Sequence, residues 1–324
     1  MLNHRRPYPS RCGIRVVSSE HAVRNGTLRF SIIIPTRNRP AALDRCLAAI
    51  WELNYPREDF EVLIADDGSD PPADAVVTHH ASGGLPVVYI RCEGRGPARA
   101  RNEALRRARA HYAAFTDDDC APNSEWLTMF DQAYGESPNA CLGGTVVDHP
   151  DNGVYGVASQ LLVSFLYEDA EKNASGPRFF CSNNLAFPRD ALIAMNEFDV
   201  NFPLATAEDR DLCARWASRD GDLQLIAGAV VRHRQQLGPL SFCRRHYRYG
   251  RGACTYWMRR EAEDHHGNRL QSRAFHMRML TRPFRCMAHG KALAVSALLA
   301  VSQAACAAGY LAECCAPVNV RRSL

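Results

Sequence analysis

The chain has 324 residues, 46% hydrophobic and 23% charged; that globular composition gives room for one large domain or two small ones and excludes collagen-like, repeat and disordered architectures. Its 13 cysteines are scattered with no C-x-x-C pair, which argues against a disulfide scaffold or zinc ribbon and for free, mostly buried cytosolic thiols. The net charge of +4 hides an asymmetry: residues 231–324 carry 16 Lys+Arg against 4 Asp+Glu, the rest 23 against 31, so a basic tail follows an acidic body and suggests contact with anionic lipid or another polyanion, a solvated helical face being the plain alternative.

Residues 1–28 are basic but lack an apolar h-region, so they read as a flexible leader and not a secretory signal. FSIII (30–34) reads as a buried strand. RPAALDRCLAAIW (39–51) has helical spacing, with Leu43, Leu47, Ile50 and Trp51 on one face. FEVLIA (60–65) is the next strand, ended by the turn signal DDGSDPP. PVVYIR (86–91) is a third strand, PARARNEALRRARA (97–110) a helix with Pro97 near its first turn, and YAAFT (112–116) a fourth strand. Strand and helix alternate every 25 to 30 residues over the first 120, the pattern of a mostly parallel sheet with helices on both faces.

Beyond residue 140 the pattern is mixed. ACLGGTVV (140–147) reads as a strand, RFFCSNNLAFPRDAL (178–192) as a strand, turn and helix start, and AEDRDLCARWASRDG (207–221) as a helix closed by Gly221. DLQLIAGAVVRH (222–233) is a strand pair or a bent strand, and 240–257 is helical. Residues 292–312 contain no charge; their length permits a membrane span, while their Ala-rich composition fits equally a helix packed on the body or lying in an interface.

In open parallel sheets ligands bind outside the C-terminal strand ends. Three predicted strands end there in polar residues: Pro35-Thr36, Asp66-Asp67-Gly68-Ser69, and Asp117-Asp118-Asp119. Three consecutive carboxylates repel one another. A divalent cation, Mg²⁺ or Mn²⁺, sharing the site with phosphate oxygens would relieve that repulsion; an N-cap before SEWL accounts for one aspartate but not three. Asp66 and Asp67 are either turn residues or acceptors for a base N–H or ribose hydroxyl. Glu208-Asp209 at a helix start is either a favourable charge placement or a general base. His233, at a strand end, is either structural or a third metal ligand.

The ordered set resembles family 2 glycosyltransferases of the GT-A fold. It comprises FSIIIPTRNRPAALDRCLAAI, EVLIADDGS, GPARARNEALRRARAHYAAFTDDDCAPNSEWL, NNLAFPRDAL and EDRDLCARWASRDGDLQLIAGAVVRH, over roughly residues 29–235. The resemblance implies an α/β GT-A domain over 29–238, with a Rossmann-like, mostly parallel sheet; the basic, helical C-terminal region over 239–324 that follows is read from its own charge and apolar stretch, either as membrane-associated or as a solvated or packed helical face. It implies that Asp67 contacts the nucleobase, that Pro35 and Thr36 line the nucleotide pocket, and that Arg101 and Asn102 lie near the donor, with Asp66 and Asp118 in the same donor site. Asp117 and Asp119 resemble the DxD pair, His233 a histidine completing the metal shell, Asp209 the base of inverting members with Glu208 beside it, and Asn184 an asparagine of the central loop.

The implied activity is metal-dependent, inverting transfer from a nucleotide sugar to an acceptor hydroxyl in cell-envelope, polysaccharide or glycolipid synthesis. The acceptor is a sugar, a lipid-linked sugar or a small molecule, nucleic acid is not a partner, and the location is the cytoplasm or the inner face of the cell membrane. The Q-x-x-R-W motif of processive synthases is absent, which favours transfer of one or a few sugars. NEFD (196–199) replaces a Gly-Gly-Phe-Asp-like turn, so this acceptor-side loop is expected to differ. Glycine-poor PTRNRP argues against a nucleotidyltransferase or a dinucleotide oxidoreductase. The rival of another class is a non-catalytic, membrane-associated nucleotide-sugar-binding protein that keeps the fold.

Overall fold

The computed structural model describes residues 14–15, 28–173, 179–202, 206–262 and 271–316. The leader expected over 1–28 lies outside them except for Leu28 and the two-residue strand β1 (Ile14–Arg15). In chain order follow β2 (Phe30–Thr36), α1 (Pro40–Trp51), β3 (Phe60–Asp66), α2 (Asp74–Ser82), β4 (Val87–Arg91), α3 (Pro97–Leu105), β5 (Tyr112–Thr116), β6 (Cys120–Pro122), α4 (Trp126–Glu136) and β7 (Cys141–Asp148). Then come α5 (Val154–Asn173), β8 (Asn184–Pro188), α6 (Arg189–Ala194), α7 (Glu208–Ala217), β9 (Leu223–His233), α8 (Pro239–Ala262), α9 (Arg273–Thr281), α10 (Pro283–Cys286) and α11 (His289–Cys315).

The strands form one sheet in the order β1-β4-β3-β2-β5-β8-β7-β9-β6. It is parallel from β4 through β3 and β2 to β5. Beyond β5 it is mixed: β8 is antiparallel to both neighbours, β9 runs parallel to β7, and β6 is antiparallel to β9. The mostly parallel expectation therefore describes the N-terminal half, where each strand is followed by a single crossover helix.

Central strands of such a sheet are covered on both faces, and their side chains sort by alternation. Phe30, Ile32 and Ile34 of β2 join Phe60, Val62 and Ile64 of β3 against Leu43, Leu47 and Ile50 of α1 and Trp126 and Phe130 of α4. On the other face Ile33 and Leu63 meet Ala100 and Ala104 of α3 and Leu212 and Trp216 of α7. The result is three layers, helix–sheet–helix. Every residue of β2 and β3 is buried, and each large aliphatic side chain so buried contributes about 1.5–3 kcal/mol.

Several sequence expectations shift. The α3 helix ends at Leu105, not at residue 110, because the Arg109 backbone N–H is taken by the Glu61 carboxylate at 2.7 Å. The α2 and α5 helices were not anticipated. In α5 the buried residues include Val157, Ala158 and Leu162 but also Ser159 and Gln160, whose amide donates to the Val146 carbonyl at 2.8 Å. A helix covered on more than one side shows no clean amphipathic stripe. Residues 222–233 form one bent strand: Gly144 pairs with Ile226 but Thr145 with Val230, so residues 227–229 loop out.

The uncharged segment near the C-terminus is the core of α11, a helix long and apolar enough to cross a membrane. One side packs against α8, with further contacts to α5, α9 and α10. The approach to α8 depends on glycine: a Cβ at Gly250 would overlap the carbonyl of Cys306, and one at Gly309 the carbonyl of Tyr247. Overpacking against backbone cannot be relieved by a rotamer change. Gly250→Val should therefore cost at least about 2 kcal/mol in urea unfolding. Gly290→Ala, at a position with open space, should stay within about 0.5 kcal/mol of the unchanged chain. Equal stability of the two variants would remove the close helix contact.

Candidate active site

The cleft opens where the sheet order reverses. Successive crossovers carry the chain from β2 outward to β3 and β4, and then β5 returns to the other side of β2; loops diverge at such a point and leave a crevice. Thr36, at the end of β2, donates from Oγ1 to Asp118 Oδ2 across this point at 2.7 Å. A cavity of about 1370 Å³ lies over the rim and is lined by Pro35, Thr36, Asp67, Arg101, Asp117, Glu208, Asp209 and His233, among others. Residues from six separate segments thus face one space.

The three aspartates diverge. Asp117 Oδ1 accepts from Arg101 Nη2 at 2.6 Å. Asp118, fully buried, lies 2.6 Å from Arg39 Nη2. Asp119 accepts from Arg39 Nη1 at 2.8 Å and lies 3.3 Å from His233 Nε2. Burial, together with the Asp119 and Asp117 charges, pushes the Asp118 carboxyl up to about 7 despite Arg39 and Thr36. Burial alone would raise Asp119 too, but its hydrogen bond to His233, with the Arg39 charge, holds it below the usual carboxylate range. Arg39 was not singled out from the sequence; its only signal there is a basic residue directly after the first strand's PTRN, a short reach from the aspartates.

Pairing of β6 with β9 sets Cys120 opposite His233, which brings the imidazole to Asp119. Ligand atoms of Asp119, Cys120 and His233 lie within 4.8 Å of one another, the group among the described residues that could hold a cation. Burial keeps the Cys120 thiol protonated, well above its ordinary value. The useful donors are therefore a carboxylate oxygen and an imidazole nitrogen, which suit Mn²⁺ or Mg²⁺ with phosphate oxygens and waters completing the shell. Asp117 is not in this group: its carboxylate faces Arg101.

Asp66 and Asp67 separate sharply. Asp66 is fully buried and accepts from the Ser69 and Ala73 backbone N–H groups, the Tyr89 hydroxyl and Arg91 Nη1, at 2.6–3.0 Å. Its carboxylate braces the turn and does not line the cavity. Asp67 does line it, and accepts from the Gly96 N–H at 3.1 and 3.0 Å. Gly96 has φ +100, a backbone glycine adopts at little cost.

Asn102 is likewise spent on structure, clamping Phe198 by donating to its carbonyl at 2.8 Å and accepting from its N–H at 3.0 Å. The clamped segment is the NEFD turn. Asn196 and Glu197 there have φ 64 and 55, the left-handed conformation that two glycines would adopt freely. Arg215 donates to the Met195 and Glu197 carbonyls at 2.7 and 2.6 Å and holds the strained turn. The turn therefore keeps a glycine-type backbone despite its sequence.

Asn184 is buried and bonded to Trp126 Nε1 and to the Thr145 and Ala229 carbonyls. Its neighbour Asn183 lines the cavity 3.4 Å from His233 Nδ1.

Glu208 and Asp209 open α7, where helix N–H groups favour negative charge. Asp209 accepts from its neighbour's N–H, that of Arg210, at 2.7 Å and from the Ser182 N–H at 3.4 Å. Arg101, 4% exposed at its side chain, lies 3.5 Å from Glu208 and so joins it to Asp117. Burial, then the Asp209 charge, raises Glu208 above the usual carboxylate range; burial also raises Asp209, against the Arg210 N–H.

Residues 31–194 match the model of glycosyl transferase family 2. Glycosyltransferase AglE of Haloferax volcanii is 25% identical over 235 residues, covering 72% of this chain and 75% of that protein. Chondroitin synthase of Escherichia coli is 27% identical over 242 residues, 64% of this chain but 35% of that longer protein. Among solved structures, mannosyltransferase PcManGT from Pyrobaculum calidifontis, in complex with GDP-Man and Mn²⁺, superposes with a TM-score of 0.64 at 19% identity, covering 90% and 88% of the two chains. TarS of S. aureus, residues 1–349 with UDP-GlcNAc, gives 0.56 at 17% identity over 87% and 89%. Both show the GT-A fold.

The adjacent pair Asp66 and Asp67 gives a direct test. Burial is outweighed by the Ser69, Tyr89 and Ala73 hydrogen bonds, which depress Asp66 below its ordinary value. Its stabilisation is therefore full above the unfolded carboxylate range and lost as pH falls through the depressed value. Asp66→Asn should cost about 3 kcal/mol at neutral pH, with a penalty that shrinks in acid. Asp67→Asn should leave chemical unfolding nearly unchanged and weaken nucleoside diphosphate binding in calorimetry. Reversal of the two effects would exchange the roles.

Proposed function

The chain belongs to glycosyl transferase family 2, and from that premise we propose that it is a metal-dependent, inverting transferase that moves a sugar from a nucleotide donor to an acceptor hydroxyl. The observation that carries this reading is the single cavity joining Asp67, Asp117, His233, Glu208 and Asp209. A non-catalytic binding protein has no need of a buried, strained pair of carboxylates opposite a donor site, so the complete acidic set favours the enzyme.

Asp67, with Pro35 and Thr36 beside it, holds the nucleoside end. Asp119 and His233 would hold a divalent cation, whose charge would offset that of the leaving diphosphate. Arg101, fixed between Asp117 and Glu208, keeps two acidic groups in register and adds positive potential near the reacting centre. Asp209 accepts the acceptor's hydroxyl proton. The oxygen forms its bond to the anomeric carbon from the side opposite the diphosphate. The carbon–oxygen bond to the phosphate breaks, and its electron pair leaves with the nucleoside diphosphate. The product linkage is inverted.

Residues 29–238 form the catalytic unit in this reading, and 239–324 a basic, helical attachment. Met277, Phe284 and Leu293 are exposed, as are Arg285 and Lys291 of the same region. Such a mixture of apolar and basic groups suits an anionic bilayer surface. In this reading the protein works at the cytoplasmic face of a membrane, in envelope, polysaccharide or glycolipid synthesis.

Asp119→Ala should abolish Mn²⁺-stimulated transfer and donor hydrolysis; full activity would remove the metal role. Asp209→Asn should bind donor normally and turn over at least about a hundredfold more slowly. The pH profile gives a third test. Glu208 and Asp209 are both raised, so kcat should fall on the acid side above the usual carboxylate range. Glu208→Gln removes the neighbouring charge and should move that limb to lower pH. An unmoved limb would show that the pair does not set it.

A further inference from the structure

The cavity is larger than a single small-molecule site needs. Ligand pockets usually run to about 300–1,000 Å³, and this one holds about 1370 Å³. Its two ends differ in chemistry. The sheet rim supplies the carboxylates, Arg101 and His233. The helices on the far side contribute apolar groups, Val163 and Leu166 of α5, Trp257 of α8, Phe275 of α9, and Ala307 and Leu311 of α11, with the uncharged amides of Gln160 and Gln303 among them. Arg210 and Arg248 also line the space.

The wall does not stop inside the protein. Leu311 lines the cavity and is still 62% exposed. From it an uncharged stripe follows the outer face of α11 through Ala304 and Ala300 to Leu293, all exposed. These positions are spaced by seven, four and seven residues, so they share one helix face and extend for roughly 27 Å. A water-soluble sugar or small alcohol would gain nothing from such a surface. A long hydrocarbon chain would bury apolar area along all of it.

Resting on the transferase reading, we propose that the acceptor is an amphiphile: a hydroxyl-bearing head on a long apolar tail, joined through an anionic group. The head reaches Asp209, the anionic group lies near Arg210 and Arg248, and the tail follows the wall of α5, α8 and α11 out along the exposed stripe. The acceptor thus enters from the side of the protein that carries the apolar helix, opposite the nucleotide.

The test uses the full chain, calorimetry and three probes: dodecyl phosphate below its micelle concentration, butyl phosphate and inorganic phosphate. Each buried methylene tightens binding about fourfold. Dodecyl phosphate should therefore bind at least about a hundredfold tighter than butyl phosphate. Leu166→Gln and Leu311→Gln should each weaken the dodecyl probe about tenfold and leave inorganic phosphate unaffected. Leu311 is exposed, so its variant reports even where Leu166→Gln does not fold. Arg248→Ala should weaken all three probes.

Equal affinity for dodecyl and butyl phosphate would overturn the proposal, and so would dodecyl binding indifferent to both leucine variants. A parallel titration with UDP or GDP and Mn²⁺ separates the premise. Nucleotide binding without a chain-length effect sinks the acceptor assignment alone. A chain-length effect without nucleotide binding sinks the transferase reading and, with it, the acceptor role.

Discussion

Burying several carboxylates around one space is the constraint that organises the molecule. Two like charges about 4 Å apart repel by about 4 kcal/mol at an effective dielectric near 20. Asp117 turns to Arg101, while Asp118 and Asp119 share Arg39, with Thr36 on Asp118 and His233 beside Asp119. The two arginines that compensate them are not equivalent. Arg101 is 4% exposed, pinned between Asp117 and Glu208. Arg39 is half exposed and bridges Asp118 and Asp119 from the solvent side. Its guanidinium stays partly solvated, so Arg39 holds its two carboxylates less rigidly than Arg101 holds its own. Arg101 carries the geometry.

The sheet supplies the rigidity this arrangement needs. Groups with raised or depressed titration must be held where the field acts on them, and central strands hold them best. β2 and β5 lie at the reversal of strand order, and the Thr36–Asp118 hydrogen bond locks their ends together. The mixed half of the sheet adds what a purely parallel one could not. Antiparallel β6 on β9 places the His233 ring beside Asp119, although 114 positions of chain separate them. The same strand end orders Asn152, which donates to the His233 carbonyl at 2.9 Å.

The sequence was most readable where period and burial coincide. FSIII, FEVLIA and YAAFT are β-branched or aromatic runs bounded by turn residues, and each is a strand. Residue type also pointed to Asp67, Asp117, Glu208, Asp209 and His233, which face the cavity. It could not tell Asp66 from Asp67, since adjacent aspartates at a turn differ only in which way the side chain points. One braces four donors and the other faces the ligand space. The same blindness covers Asn102, Asn183 and Asn184. Whether an amide clamps backbone or faces a cavity depends on partners far along the chain: Phe198 for Asn102, Trp126 for Asn184. Arg39 went unnoticed because the group it neutralises is 80 positions away.

Hydropathy is blind in a related way for α11. The helix has the length and composition of a span. Yet the helix carries Glu313, buried and bonded to Arg251 of α8 at 2.6 Å. Separating a buried pair of this kind costs about 3–5 kcal/mol, because one charge is left without its partner. The glycine contacts with α8 would be lost as well, and with them the close approach of the two backbones. An average over residues cannot register a charge pair contributed by another helix, nor a groove made by two absent side chains. The physical balance keeps one side of α11 on the protein and leaves the other, uncharged from Leu293 to Leu311, exposed.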